Sequence, residues 1–136
     1  MNISELLNSG AEILKVNKIR THQLDSELVL SSLLKQQREN LIIDSNKNVS
    51  ANTIFNFKKL IARRANKEPL AYILKKKEFW SKNFFVNRNT LIPRPETELL
   101  CESVIKLFRN KNLYALDIGT GSGCILLSIL KERSNF

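Results

Sequence analysis

The stretch LDIGTGSGCILL, residues 116–127, constrains the fold of this chain more than any other part of the sequence. An acidic residue closes an apolar run, three glycines follow at alternate positions, and an apolar helical pattern begins at Cys124. Glycine is needed where the backbone takes unusual dihedral angles or lies against a ligand. The run LYALDI, residues 113–118, is typical of a buried parallel strand. The order strand, glycine turn and helix (124–130) predicts the opening unit of a doubly wound α/β sheet.

Two classes of ligand fit this loop. Backbone N–H groups at a helix start can face a carboxylate or a ribose oxygen, and Asp117 is placed to meet a polar or cationic part of the ligand. The spacing D-x-G-x-G-x-G, from Asp117 to Gly123, resembles the first motif of class I S-adenosylmethionine methyltransferases. A dinucleotide fingerprint would need glycine or alanine at Cys124, and the Gly-Lys-Ser/Thr of a P-loop is absent. The spacing favours S-adenosylmethionine over a dinucleotide, and a tight turn without a ligand is the third interpretation.

Three amphipathic helices are predicted in the first half of the chain. Ser4 is expected to cap the first, and the others are predicted over 21–35 and, capped by Ser50, over 50–65. The asparagine-rich residues 40–50 are predicted to be a connection, and Pro69 prevents the third helix from continuing far. The apolar positions that recur at helical spacing are Ile3, Leu6, Leu7, Ala11, Leu14, Leu24, Leu28, Leu33, Leu34, Ile54, Phe57, Ile61 and Ala65. These faces predict a small helical bundle over 1–72.

A β-hairpin is predicted after the bundle. Phe79 and Trp80 precede the polar residues SKN at 81–83, and an apolar run follows at 84–86. The run KKK at 75–77 is predicted to be a solvated approach to the hairpin.

The segment LIPRPETELL, residues 91–100, predicts the start of another helix. Pro95 suits the first helical position, and Glu96 and Glu98 suit the first turn, where negative charge complements the helix dipole. Residues 110–112 are expected to end this helix. Its predicted buried face consists of Leu99, Leu100, Val104, Leu107 and Phe108.

Composition gives broader expectations. The net charge of +9, from 22 basic and 13 acidic residues, suits an anionic partner such as RNA or the ribosome, but the abundance of Lys, Asn, Ile and Leu is equally typical of an AT-rich genome. The N-terminus lacks the pattern of a signal peptide, and the sequence has no apolar run that would span a membrane. Cys101 and Cys124 are isolated in the sequence, and His22 is the only histidine. We therefore expect a reduced, cytoplasmic protein without a metal site.

Residues 68–100, together with LDIGTGSGCILL, closely resemble the release factor glutamine methyltransferases of the HemK/PrmC family. LIPRPETE is the specific part of the match, whereas the glycine loop is generic. The resemblance implies an α/β protein in three parts: a helical, substrate-docking domain at 1–72, a β-hairpin linker at 73–92, and at 93–136 the first strand and helices of a truncated Rossmann-like methyltransferase domain.

Members of this family transfer a methyl group from S-adenosylmethionine to the glutamine of the GGQ motif in peptide chain release factors. The resemblance assigns the cofactor loop to Asp117, Gly119, Thr120, Gly121, Ser122 and Gly123, and places 94–98 beside the cofactor pocket. The family's catalytic Asn-Pro-Pro-Tyr is absent from this sequence, so no catalytic residue is assigned. Residues 1–136 are expected to be the N-terminal part of such an enzyme, inactive alone. The alternatives are a non-catalytic module that binds a release factor or the ribosome, and a dinucleotide-dependent fragment.

One further departure concerns Lys75, which stands where the family usually has glycine. If that position needs a positive φ, we expect Lys75 to strain the turn before the hairpin.

Overall fold

The structure, a computed structural model, describes residues 1–108 and 114–132. The chain divides into two compact units, one from Met1 to Leu74 and a second that begins at Lys75. No helix in the described ranges is both long enough and apolar enough to cross a membrane.

The first unit is the predicted helical bundle. Its helices are α1 (Ile3–Val16), α2 (His22–Leu34), α3 (Arg38–Ile43), α4 (Ala51–Ala65) and α5 (Leu70–Leu74). The predictions for α2 and α4 are confirmed, and the Ser50 side chain accepts the Thr53 N–H as the cap of α4.

Two details of the bundle correct the sequence analysis. The cap of α1 is Asn2 rather than Ser4: Asn2 and Glu5 each accept the other's backbone N–H in a capping box. Part of the predicted connection at 40–50 belongs to α3, whose Leu41 is 1% exposed in the bundle core. The polar composition around one buried leucine concealed a helix of less than two turns.

The core of the bundle forms where α1, α2 and α4 meet. Its buried apolar residues are Ile3, Leu6, Leu14, Ile19, Val29, Leu30, Leu41, Phe57 and Ile61. Gly10 on α1 lets the helices approach closely, because a Cβ there would lie 2.6 Å from Phe57 Cζ and 2.7 Å from Ser26 Oγ. Ser26 Oγ in turn donates to the Leu7 carbonyl at 2.9 Å.

The second unit begins with the predicted hairpin, in a shifted form. Strands β1 (Lys76–Phe79) and β2 (Lys82–Phe85) pair antiparallel, with Phe79 opposite Lys82. The turn is therefore Trp80–Ser81 rather than SKN, and two residues of the KKK run lie in β1 instead of a solvated approach. A two-residue turn matches the right-handed twist of paired strands, which decides this register.

A 3₁₀ turn (Pro95–Thr97) and two helices follow: α6 (Glu98–Leu107) and α7 (Cys124–Glu132). Pro95 starts the turn as predicted, and α7 confirms the helix predicted after the glycines. The predicted buried face of α6 is largely wrong, because Leu99, Leu100 and Leu107 are exposed. Val104 and Phe108 are partly buried as predicted, and the fully buried residue of this helix is Cys101. The predicted helix end at 110–112 lies outside the described residues.

The strand predicted for LYALDI is wrong for its described part. Residues 114–117 belong to no strand, and Tyr114, Leu116 and Ile118 are exposed. A parallel strand is stable when neighbouring strands pair with it and both its faces are covered. Within the described residues the one sheet is the two-stranded hairpin, so this segment has nothing to pair with.

Four lysines take left-handed backbone at helix ends, where glycine is usual. Lys35 is the C-cap residue of α2, Lys18 and Lys67 follow the C-cap residues of α1 and α4, and Lys75 follows the last residue of α5. Their φ angles are 57° (Lys18), 53° (Lys35), 65° (Lys67) and 56° (Lys75). The positive φ on which the expectation for Lys75 depended is therefore present.

Replacement of Lys75 by glycine is expected to raise the free energy of unfolding of the second unit by about 1 kcal/mol, because glycine adopts positive φ without a Cβ clash. Urea unfolding followed by the fluorescence of Trp80, the single tryptophan, measures the change. Lys76→Gly is the matched control: it lies in β1, where glycine should lower stability by about 0.5–1 kcal/mol. Changes of the same sign in the free energy of unfolding for the two substitutions would contradict the prediction.

Candidate functional site

The glycine loop between Asp117 and α7 has the backbone that its sequence predicts. Gly119, Gly121 and Gly123 have φ of 80°, 57° and 75°, a region that other residues rarely adopt. The Gly123 N–H donates to the Thr120 carbonyl at 2.9 Å, and the Leu127 N–H donates to the Gly123 carbonyl at 3.0 Å. The loop is therefore a tight turn that leads directly into α7.

The loop leaves room on its open side. A Cβ built at Gly119 would meet no atom within 4 Å, and one at Gly121 would have only the Gly119 carbonyl oxygen, at 3.9 Å. Steric crowding therefore does not explain these two glycines. What requires glycine here is the backbone conformation, and the open space beside it is available to a ligand.

Two polar atoms beside the loop are buried without a hydrogen-bond partner in the described part of the chain. They are Asp117 Oδ2 and Ser122 Oγ. Buried polar atoms in proteins are almost always satisfied, so an acceptor and a hydroxyl left unpaired next to an open glycine turn fit a polar ligand. A carboxylate is suited to a cationic or hydroxyl-bearing group.

The helix that the loop opens is anchored by a small apolar cluster. Cys124 and Ile129 of α7 pack with Cys101 of α6 and with Phe79 and Phe84 of the hairpin. The rings of Phe79 and Phe84 meet edge to face, with centroids 6.2 Å apart. Burial, reinforced by the neighbouring Cys124 thiol, raises the pKa of the Cys101 thiol above its usual range. Both cysteines are free thiols in the structure, and both are buried.

The hairpin turn carries a set of contacts that the sequence analysis did not predict. Glu98 Oε1 accepts the Trp80 backbone N–H at 2.7 Å. Glu132 Oε1 accepts the Trp80 indole N–H at 3.2 Å and a hydrogen bond from Lys82 Nζ at 3.3 Å. The hydrogen bond from Lys82, and to a smaller extent the one from Trp80, lowers the pKa of Glu132 below its usual range. Glu98, the last residue of LIPRPETE, was the one sequence feature that could have suggested a carboxylate contact here.

The helical unit contains a separate cavity of about 550 Å³, between α1, the start of α2 and α3. Leu7, Ala11 and Leu41 contribute apolar walls, and the polar lining includes Lys15 and His22. His22 Nδ1 is buried without a partner among the residues that the structure describes. Over those residues, no group of three His, Cys, Asp or Glu side chains is arranged to hold a metal ion.

Comparison with known proteins gives two findings. A family model described as the PrmC N-terminal domain matches residues 5–74. Release factor glutamine methyltransferases are similar over almost the whole chain. The protein from Nitratidesulfovibrio vulgaris is 38% identical over 130 residues, which are 96% of this chain and 44% of that protein. The protein from Coxiella burnetii is 39% identical over 130 residues, 95% of this chain and 46% of that protein.

A bifunctional methyltransferase from Rickettsia typhi is also similar, with 36% identity over 153 aligned positions that cover 98% of this chain and 30% of that protein. The chain thus spans about half the length, or less, of the curated relatives it matches.

Proposed function

This chain belongs to the PrmC family of release factor glutamine methyltransferases, and on that premise we propose that it forms part of an S-adenosylmethionine-dependent enzyme. The reaction would methylate the amide nitrogen of the GGQ glutamine in peptide chain release factors. The observation that carries the proposal is the positive-φ glycine loop beside Asp117 Oδ2 and Ser122 Oγ, two buried atoms that have no hydrogen-bond partner among the described residues.

Each residue of the loop would contribute a different contact to the cofactor. Gly119, Gly121 and Gly123 bring backbone without a side chain to the ligand, and Thr120 and Ser122 add hydroxyls. The Asp117 carboxylate would take a cationic or hydroxyl-bearing part of the cofactor. When bound, S-adenosylmethionine supplies an electrophilic methyl group attached to a cationic sulfonium. No pyrophosphate has to be accommodated, which suits a glycine spacing different from the dinucleotide fingerprint.

The 136-residue chain alone would not provide a complete pocket for that cofactor. Leu116, Ile118 and Leu127, on either side of the loop, are exposed, although a methyltransferase domain would cover such side chains with neighbouring strands and helices. A cofactor of this kind binds in the crevice at the carboxyl ends of several strands. We therefore propose that residues 1–136 by themselves do not catalyse methyl transfer.

The helical unit would serve substrate docking, with 73–92 as the link to the methyltransferase part. The bundle has its own core and its own cavity, which also favours the second candidate function, a non-catalytic module that binds a release factor or the ribosome. Retention of a release factor by residues 1–74 alone, without cofactor, would favour the module.

Calorimetric titration of the 136-residue chain with S-adenosylmethionine is expected to give no micromolar affinity. A fusion of this chain to the unmatched second part of the Coxiella burnetii relative is expected to bind the cofactor and to methylate a release factor. Asp117→Asn in the fusion should weaken cofactor binding about tenfold, the effect of one lost charge-assisted contact.

Separate controls test the identity of the methyl-accepting residue and the identity of the cofactor. A release factor whose GGQ glutamine is changed to alanine should accept no methyl group from the fusion. Micromolar affinity of the chain alone would refute the incomplete pocket, whereas a fusion that prefers NAD to S-adenosylmethionine would refute the proposed function.

A further inference from the structure

The hairpin turn has a backbone that its residues do not favour. Trp80 and Ser81 have φ of 51° and 53°, as a two-residue turn with positive φ at both positions requires. Asn-Gly or Asp-Gly is usual there, and a bulky residue with positive φ is an outlier. Such a turn persists only where the surrounding structure holds it.

Two carboxylates from different helices hold this turn. Glu98, the first residue of α6, accepts the Trp80 backbone N–H, and Glu132, the last residue of α7, accepts the indole N–H. Both bonds are charge-assisted and are therefore stronger than bonds between neutral groups. Lys82 adds an ion pair to Glu132. The backbone and the indole ring of Trp80 are therefore each held by a carboxylate.

The same hairpin also contacts the helix that the glycine loop opens. Phe79 and Phe84 pack with Cys124, which directly follows Gly123. Helix α7 is thus held at its first residue by the apolar cluster and at its last residue by the turn. The Leu127 N–H donates to the Gly123 carbonyl. Contacts that hold α7 at both ends therefore also restrict Gly123, the last residue of the loop.

We propose that Glu98 and Glu132 are positioning residues that, by clamping the Trp80 turn between α6 and α7, hold the glycine loop in the arrangement that the methyl donor needs. The inference rests on the proposed function for the identity of the donor. It gives the last acidic residue of LIPRPETE a role of its own: Glu98 binds the hairpin rather than the ligand. Glu132 performs the matching task at the opposite end of α7.

Residue-resolved amide exchange, measured by NMR on the 136-residue chain without cofactor, tests the clamp. In Glu98→Ala, exchange at Trp80 and at the loop-end amides Gly123 and Leu127 is expected to become about tenfold faster. Glu98→Gln should restore slow exchange, since its amide oxygen still accepts the Trp80 N–H. Glu102→Ala is the matched control, because Glu102 lies on the same helix and pairs with the exposed Lys106.

Glu132→Ala provides a second variant. Its side chain is half-exposed, so its removal should leave the apolar cluster intact while exchange at Leu127 becomes faster. Unchanged exchange in the second half of α6 verifies that the second unit of each variant is folded. Faster exchange at Trp80 with no change at Gly123 and Leu127 would overturn the proposal and leave Glu98 as a local hairpin anchor. Since no cofactor is present, the result is independent of whether S-adenosylmethionine is the ligand.

Discussion

Replacement of Arg64 by alanine is expected to lower the free energy of unfolding of the helical unit by about 3–5 kcal/mol. Arg64 Nε donates to Asp25 Oδ2 at 2.6 Å, and the two side chains are 19% and 5% exposed. Without the guanidinium, the Asp25 carboxylate stays buried with its cation removed. Small domains have about 5–15 kcal/mol of stability in total, so urea unfolding followed by helical circular dichroism should show a large shift of the midpoint.

The pair itself contributes less than this loss suggests. Exchange of both partners for apolar residues, as in Asp25→Leu with Arg64→Met, is expected to be far milder than Arg64→Ala, because no unpaired charge is left behind. Lys47→Ala is the exposed control: Lys47 pairs with Asp44 but is 71% exposed, and such pairs contribute about 0–1 kcal/mol. A loss below 1 kcal/mol for Arg64→Ala would show that the carboxylate reaches water after all.

The second large effect is expected at Gly10. Gly10→Val should lower the free energy of unfolding of the helical unit by about 3 kcal/mol, since overpacking of a close helix contact costs about 1–3 kcal/mol or more. Gly10→Ala should cost less, because alanine regains about 1 kcal/mol of helix propensity. Its Cβ would still lie 2.6 Å from Phe57 Cζ, so the contact outweighs the propensity. Thermal or urea unfolding measures both variants.

Two comparisons identify the cause. Asn8→Ala and Asn8→Val change an exposed position of the same helix and should follow helix propensity alone. In a Phe57→Leu background, Gly10→Ala should cost less than it does in the natural chain, because the ring atoms that meet the new Cβ are gone. Equal costs in the two backgrounds would mean that Phe57 is not the obstacle.

Local sequence signals predicted the elements whose determinants are contiguous. The side chain of Ser50 caps α4, Pro95 starts the 3₁₀ turn, and the glycines take the positive φ that their spacing indicates. Each of these features depends on interactions within one turn of backbone. The positive φ of Lys75 is different, because it was expected from the family resemblance and not from a local signal.

The errors about burial and strand pairing depended on partners distant in the sequence. Leu41 is buried because α1 and α2 cover it, which a polar segment does not reveal. The buried strand predicted for LYALDI assumed neighbouring strands, and Leu99 and Leu100 were assigned to a buried face that nothing described covers. Apolar periodicity shows which face could be buried, but not whether an element is available to bury it.

The sequence by itself determined the helical half, the hairpin and the glycine turn, since each follows from hydrophobic spacing, caps and backbone preferences within short segments. Only the tertiary structure decided that Gly10 lets α1 approach α2 and α4 closely, that Arg64 neutralises a buried carboxylate, and that Glu98 and Glu132 meet at Trp80. The hydrogen bonds of Arg64, Glu98 and Glu132 join residues 39, 18 and 52 positions apart. Distances of that kind depend on how the elements pack, and packing is a property of the assembled unit rather than of any one segment.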